Sequence, residues 1–291
     1  MKLQGTKAVR GTGDVESRVK KLALIGCGKM GEGLLSGMLG SQLIPVGRVE
    51  ATVAEAERER ADFLVQKYGV KVHTDNIQAV RGADLVLIVL KPQQVKGVLQ
   101  QVKKALHKDA VIVSVAASVT ISLIERELGR PARIVRAMPN TPCLIRHGMT
   151  ALAPSAHAKP EDVALAREIF SAMGRTVVVE EKYMDAITGL SASGPAYVYL
   201  MIESLAEGGV KLGLPRELST ELSAQTLLGA SSMVLHTGEH PAKLKDIVTT
   251  PAGCTIDGLL ELEEGGLRVT LIKAVVRAAH RARQLVESQE S

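Results

Sequence analysis

Residues 19–26 (VKKLALIG) form a short apolar run ending in glycine, and Cys27-Gly28-Lys29-Met30-Gly31 then opens a stretch with helical spacing through Leu39. A strand that passes at once into a helix through G-x-G-x-x-G leaves few folds open. Gly26 permits the tight turn, Gly28 lets the backbone approach a pyrophosphate, and Gly31 lets helix and strand pack closely. The helix start adds unpaired amides and a dipole that favours phosphate. The motif alone is weak, because glycines cluster in turns for many reasons. Its position between strand and helix is what points to a dinucleotide, with Cys27, Lys29 and Met30 joining the glycines as candidate cofactor contacts.

The rest of the first half repeats the alternation. Apolar runs at 46–53, 85–89, 110–115, 134–138, 149–153 and 175–179 read as strands. Segments 55–68, 92–106 and 121–128 read as helices, and Pro160 can start another at its first position. This predicts an α/β fold, a doubly wound parallel sheet with helices on both faces, over residues 20–181. From 182 onward no strand pattern remains. Residues 194–212, 215–236 and 266–289 are long helical patterns broken by Gly and Pro, so 182–291 is expected to be an all-helical domain. Residues 1–19 are basic and polar without an apolar h-region and read as a flexible tail.

Ligands of open α/β sheets sit at the carboxyl ends of the strands. Val89-Leu90-Lys91-Pro92 follows one such end, Val115-Ala116-Ala117 the next, and Arg136-Ala137-Met138-Pro139-Asn140-Thr141-Pro142 a third. Each alone is compatible with a plain turn; in register with the glycine turn they make a cofactor cleft, to which Asn76 is added. The acid that binds a ribose diol is expected about 20 residues after the turn. That strand ends Thr52-Val53-Ala54, with Glu50 earlier and Glu55 just beyond. Small neutral residues leave room for a 2′-phosphate that Arg58 or Arg60 would meet. NADPH is therefore the expected cofactor, with NADH possible if Glu55 is the acid.

Composition removes other classes. Lys plus Arg is 36 against 31 Asp plus Glu, a net +5, but the basic residues are spread out, and the densest run (277–283) has the spacing of a solvated helix face. Aromatics are only 2%, which disfavours base stacking, so no nucleic-acid partner is expected. Cys27, Cys143 and Cys254 form no CxxC pair and cannot all pair, which fits a reducing, cytoplasmic setting. Runs such as 85–90 and 111–119 are far too short to cross a bilayer, and no metal site is expected.

Two segments of the helical region stand out. Gly189-Leu190-Ser191-Ala192-Ser193-Gly194-Pro195-Ala196-Tyr197 places two hydroxyls before a helix that Pro195 can start; a hinge with a helix cap would look the same. In 245–255 (KDIVTTPAGCT), small residues, a glycine and three threonines precede the helical IDGLLELE. Unpaired amides and hydroxyls there suit a carboxylate; so would a simple cap.

From about Lys20 to the C-terminus the chain resembles the pyrroline-5-carboxylate reductases. The likeness is carried by 248–255 with its flanks, 136–142, 189–197, AEGGVKLGLP (206–215), AQTLLGA (224–230) and HPAKLKD (240–246). The resemblance implies a Rossmann-type domain followed by a helical dimerisation domain. The homo-oligomer would have the dimer as its basic unit and extend to a decamer of dimers. It implies NAD(P)H-dependent reduction of 1-pyrroline-5-carboxylate to L-proline, with C5 of the ring C=N bond receiving the hydride. Val248, Gly253, Cys254 and Thr255 would hold the substrate, the Thr255 hydroxyl meeting the ring nitrogen; Thr255, Lys91 and Ser193 are the candidate catalytic residues. The chain departs from the family's commonest pattern at Ala192, Ala252, Cys254 and Ile247, which bears on substrate affinity. Cys254 has nothing nearby in sequence to activate a thiol. A β-hydroxyacid or 6-phosphogluconate type dehydrogenase would need a helical Lys after the Ser-Gly segment, and none precedes Lys211. A non-enzymatic dinucleotide sensor is the other alternative.

Overall fold

The computed structural model describes residues 18–53 and 57–290. Most of the expected tail (1–17) and Glu55 lie outside the described residues. Contacts divide the chain into two units, one running to Ala192 and resumed from Ala279, the other Ser193–Ala278.

The first unit is built on an eight-stranded sheet of order β3-β2-β1-β4-β5-β6-β7-β8. Its strands are β1 (Leu22–Ile25), β2 (Val49–Thr52), β3 (Lys71–His73), β4 (Leu85–Ile88), β5 (Val111–Ser114), β6 (Arg133–Met138), β7 (Gly148–Pro154) and β8 (Gly174–Val178). The helices are α1 (Lys29–Gly40), α2 (Arg58–Tyr68), α3 (Asn76–Val80), α4 (Pro92–Val102), α5 (Ile121–Leu128), α6 (Pro160–Ser171) and the short α7 (Met184–Ile187). Alternate strand residues face opposite layers. Leu24, Leu87, Val113 and Val135 pack with Leu34, Met38 and Ile169 of α1 and α6. Ile25, Ile88, Ile112 and Ile134 pack with Val95, Leu99 and Ile124 of α4 and α5. A sheet covered on both faces needs such continuous apolar strands, and each fully buried Leu or Ile contributes about 2 kcal/mol.

Strands β1 to β6 are parallel, but β7 runs antiparallel to β6, and β8 is parallel to β7. The sequence suggested a sheet parallel throughout. A parallel return needs a crossover of a dozen or more residues, usually with a helix. Residues 139–147 hold only the short 3-10 turn Thr141–Ile145, so the chain can only double back. The sequence reading also missed β3, a short strand of half-exposed and exposed residues at the sheet edge, where no apolar alternation is required. Beyond β8, Met184 is buried with Met138, Ala151 and Ala153. Residues 181–192 therefore pack with the α/β unit, and the contact division falls after Ala192.

The second unit contains α8 (Gly194–Lys211), α9 (Arg216–Thr237), α10 (Pro241–Ile247), α11 (Cys254–Glu264) and the first part of α12 (Leu267–Glu290). Helices α8 and α9 approach closely at Gly209, where a Cβ would press on Ser219 Oγ. Among the described residues of this unit, Ala206 is the only buried apolar side chain, while Leu200, Leu212, Leu260 and Ile272 are exposed. A helical unit with so little core of its own cannot offset the entropy of ordering it. No helix among the described residues is long and apolar enough to cross a membrane.

Candidate active site

The glycine turn is shaped from within. Gly26 has φ +90, and a Cβ there would run into Val89 O and the Leu90 side chain. A Cβ on Gly31 would strike Gly26 O. Gly28 differs: its φ of −73 suits any residue, and a Cβ would meet nothing within 4 Å. Internal packing therefore does not require glycine at this position, whereas the close approach of an outside group would. The Gly28 N-cap offers no side-chain cap, so the first-turn amides of α1 keep no side-chain partner. The turn is fastened to β2: Gly26 N donates to Thr52 Oγ1 at 3.1 Å and Cys27 N to Thr52 O at 2.8 Å. Burial pushes the Cys27 thiol up to about 12, so it stays neutral and inert. Lys29 is exposed, and half-buried Met30 packs against the core.

The neighbouring strand ends gather beside this turn. Val89 N donates to Ile25 O at 2.8 Å and Val115 N to Ile88 O at 3.0 Å. Val89, Leu90, Pro92, Val115 and Ala117 are half-buried, Ala116 is buried, and Lys91 is the exposed N-cap of α4, its amide bonded to Gln94 Oε1. Asn76 opens α3 with its amide donating to Gln101 Oε1 at 3.0 Å. The turn and these strand ends thus lie along one edge of the sheet, with open space at Gly28 for an approaching group.

In β2, the one of the two candidate acids that is described is already engaged. Glu50 pairs with Lys21 at 2.9 Å and His73 at 2.8 Å; burial by itself would raise its carboxyl, but these bonds outweigh it and hold it low. Thr52 is buried and holds the turn. Arg60 pairs with Glu32, whereas Arg58, exposed at the start of α2, has no ion pair or hydrogen bond among the described residues.

Sequence reasoning missed two polar links at the end of β6. Asn140 accepts from Met149 N at 2.9 Å and donates to Ser191 O at 3.2 Å. Buried Arg136 pairs with Glu181 at 3.0 Å, and Glu181 also accepts Ile121 N at 2.8 Å. Arg136 was visible only as part of a strand end; its partner is forty-five positions away.

In the second unit, Gly253 N donates to Thr250 O at 3.0 Å, closing a turn with Pro251 and Ala252 in the middle and Ala252 at φ +58. Gly253 then serves as N-cap of α11 without a side-chain bond, and a Cβ on it would press on Thr250 Oγ1. Cys254 is the first helical residue and exposed; Thr255, the second, is half-buried. The Thr255 hydroxyl caps nothing and has no partner among the described residues, which removes the capping alternative. Ser193 precedes α8 as its N-cap, likewise without a side-chain cap bond. Val248 is exposed. Uncapped first-turn amides beside a free hydroxyl suit a carboxylate and a ring nitrogen.

Ala252 sits where a turn of this shape favours glycine. Ala252→Gly should relieve about 1–2 kcal/mol of left-handed strain, offset by about 0.4–1 kcal/mol of unfolded-chain entropy. A small rise in thermal midpoint is the expected result; a fall would show that the loop is not strained.

Residues 181–285 match the family model described as pyrroline-5-carboxylate reductase dimerisation, and residues 21–118 that of an NADP oxidoreductase, coenzyme F420-dependent. A pyrroline-5-carboxylate reductase of Glycine max is 45% identical over 91% of this chain and 95% of its own length. One of Escherichia coli is 36% identical over 92% of this chain and 99% of its own. The solved structure of a pyrroline-5-carboxylate reductase from Coxiella burnetii superposes with a TM-score of 0.85 at 36% identity, covering 91% of this chain and 98% of that one. Relatives this similar over nearly their full length, together with the matched dimerisation segment, place the chain in the pyrroline-5-carboxylate reductase family.

Proposed function

We infer that the protein reduces 1-pyrroline-5-carboxylate to L-proline, the last step of proline biosynthesis. The observation that carries the chemistry is the uncapped start of α11, where Gly253 leaves the first-turn amides and the Thr255 hydroxyl without side-chain partners. These amides bind the substrate carboxylate, joined by Cys254 N–H and flanked by Val248. The Thr255 hydroxyl meets the ring nitrogen, orients the imine and holds its proton as the nitrogen becomes an amine. Lys91 and Ser193 are the further catalytic candidates, Lys91 by its charge and Ser193 by a hydroxyl without a cap bond among the described residues. When bound, the nicotinamide dinucleotide supplies the hydride to C5 of the ring. The chain holds the dinucleotide by the amides after Gly28 on its pyrophosphate and by Val89–Pro92, Val115–Ala117 and Asn76 along its length. Positioning carries much of the rate. Oxidation of NADPH that requires pyrroline-5-carboxylate and yields proline tests the reading; oxidation independent of that substrate, or none, would overturn it.

Cofactor choice follows from charge. The absence of a free carboxylate at the described end of β2, with Arg58 close in sequence and unpartnered among the described residues, favours a 2′-phosphate. A higher kcat/KM with NADPH than with NADH is expected, and Arg58→Ala should erode that preference. A clear preference for NADH in steady-state assays would point back to Glu50 or Glu55.

Assembly follows from the exposed apolar helices. The second unit is inferred to bury them against another copy, giving a homodimer, with a decamer of dimers as the larger assembly. Light scattering should return a dimer or a multiple of it. A stable, active monomer of 30.9 kDa would contradict the assembly. A cytoplasmic setting suits the reduced cysteines and the soluble substrate.

A further inference from the structure

A polar cluster beside the glycine turn is one that neither the motif nor the strand ends account for. Glu32, in the first turn of α1, accepts from Arg60 Nη2 at 2.7 Å, from Lys67 Nζ at 2.9 Å and from Tyr68 Oη at 2.8 Å. The same Arg60 reaches back to the glycine turn, Nε donating to Cys27 O at 3.1 Å and Nη2 to Gly28 O at 3.3 Å. One planar guanidinium thus fixes two successive carbonyls of the turn and one carboxylate of the helix that follows.

In a trans peptide the C=O and the following N–H point in opposite directions. Drawing the Cys27 and Gly28 carbonyls toward Arg60 therefore turns the amides of Gly28 and Lys29 away from it. These are the amides that a G-x-G-x-x-G turn presents to a pyrophosphate. We propose that Arg60 is a positioning residue of the pyrophosphate-binding turn, held in place by Glu32, and that it is not a ligand of the 2′-phosphate. The proposal rests on the dinucleotide-binding reading above. It divides the two arginines of α2: Arg60 shapes the turn for either cofactor, and Arg58 is left to discriminate between them.

The charges suit this role. Burial by itself would raise the Glu32 carboxyl, but the bonds from Lys67, Arg60 and Tyr68 outweigh it and hold it at about 2. Glu32 is consequently a carboxylate throughout the neutral range. Arg60 Cζ also lies 5.2 Å from the centre of the Phe63 ring, one turn on, which limits the places the guanidinium can go.

The test is the affinity of the full-length protein for NADPH and for NADH, by fluorescence titration, alongside kcat at saturating cofactor and thermal midpoint. Arg60→Ala should weaken both cofactors by the same factor, about tenfold, with KM for cofactor carrying the change rather than kcat. Glu32→Gln should give a smaller loss, again equal for the two, because the amide still accepts a bond but lacks the charge. A loss confined to NADPH would overturn the proposal and make Arg60 a 2′-phosphate ligand. Unchanged affinity with a lowered midpoint would overturn it too, leaving a purely structural ion pair. Should Arg60→Ala not fold, Arg60→Lys keeps the charge without the two-pronged geometry and is read by the same criteria. Wild-type protein that bound neither dinucleotide would sink the cofactor reading itself, a result distinct from both.

Discussion

Thr255→Ala should lower kcat/KM for the imine tenfold to a few hundredfold, about 1.4 to 3 kcal/mol, while leaving cofactor affinity and thermal midpoint nearly unchanged. The separation of effects comes from where the residue stands. A threonine at a helix N-cap would accept an orphan amide, and its loss would cost about 1 kcal/mol of folding stability. Here Gly253 is the N-cap and Thr255 the second helical residue, its hydroxyl unbonded among the described residues. Removing it deletes no bond within the described fold. Against the ring nitrogen, by contrast, it would remove a donor or acceptor whose partner changes from planar imine to amine during reaction, so the loss falls on the transition state. Thr255→Ser, which keeps the hydroxyl, should recover most of the rate. An alanine variant that melts early but turns over normally would move the chemistry away from this residue.

Gly28→Ala should cost at least tenfold in affinity for either dinucleotide, about 1.4 kcal/mol or more, with the fold intact. Its backbone angles suit alanine, and the added methyl meets no protein atom within 4 Å. The methyl would occupy only the space into which a pyrophosphate must come. Gly26→Ala makes the opposite forecast. There φ is +90 and the methyl collides with Val89 O, so about 2–4 kcal/mol of stability should go before binding is considered. Melting curves and cofactor titrations on the two variants separate a glycine kept for a ligand from one kept for the chain. Gly28→Ala binding both cofactors normally would remove the pyrophosphate from the turn.

Most of the order of strands and helices, though not β3 or α3, was legible in the sequence because a doubly covered sheet demands apolar strands, and 85–88, 111–114 and 134–138 are buried runs of that kind. Helix α5 shows the same economy, with Thr120 capping it by accepting Leu123 N and Gly129 ending it in the left-handed region. The glycine turn was legible for a related reason: the positive φ of Gly26 and the clash of Gly31 with Gly26 O act within a few residues, so that much of the requirement is written locally, while the clash of Gly26 with Val89 is not. The resemblance, carried mainly by the loop before α11, supplied the reaction, which spacing alone could not.

What the sequence by itself determined, then, was whatever depends on neighbours along the chain: periodicity, turn geometry and helix starts. Tertiary structure alone decided the reversal at β7, the edge strand β3, the burial of Arg136 against Glu181, and the capture of Arg60 by Glu32 and the turn's carbonyls. Each of these joins groups far apart in sequence or turns on the room left between elements. A charge reads the same in a sequence whether it faces water or another residue, and only packing chooses between the two.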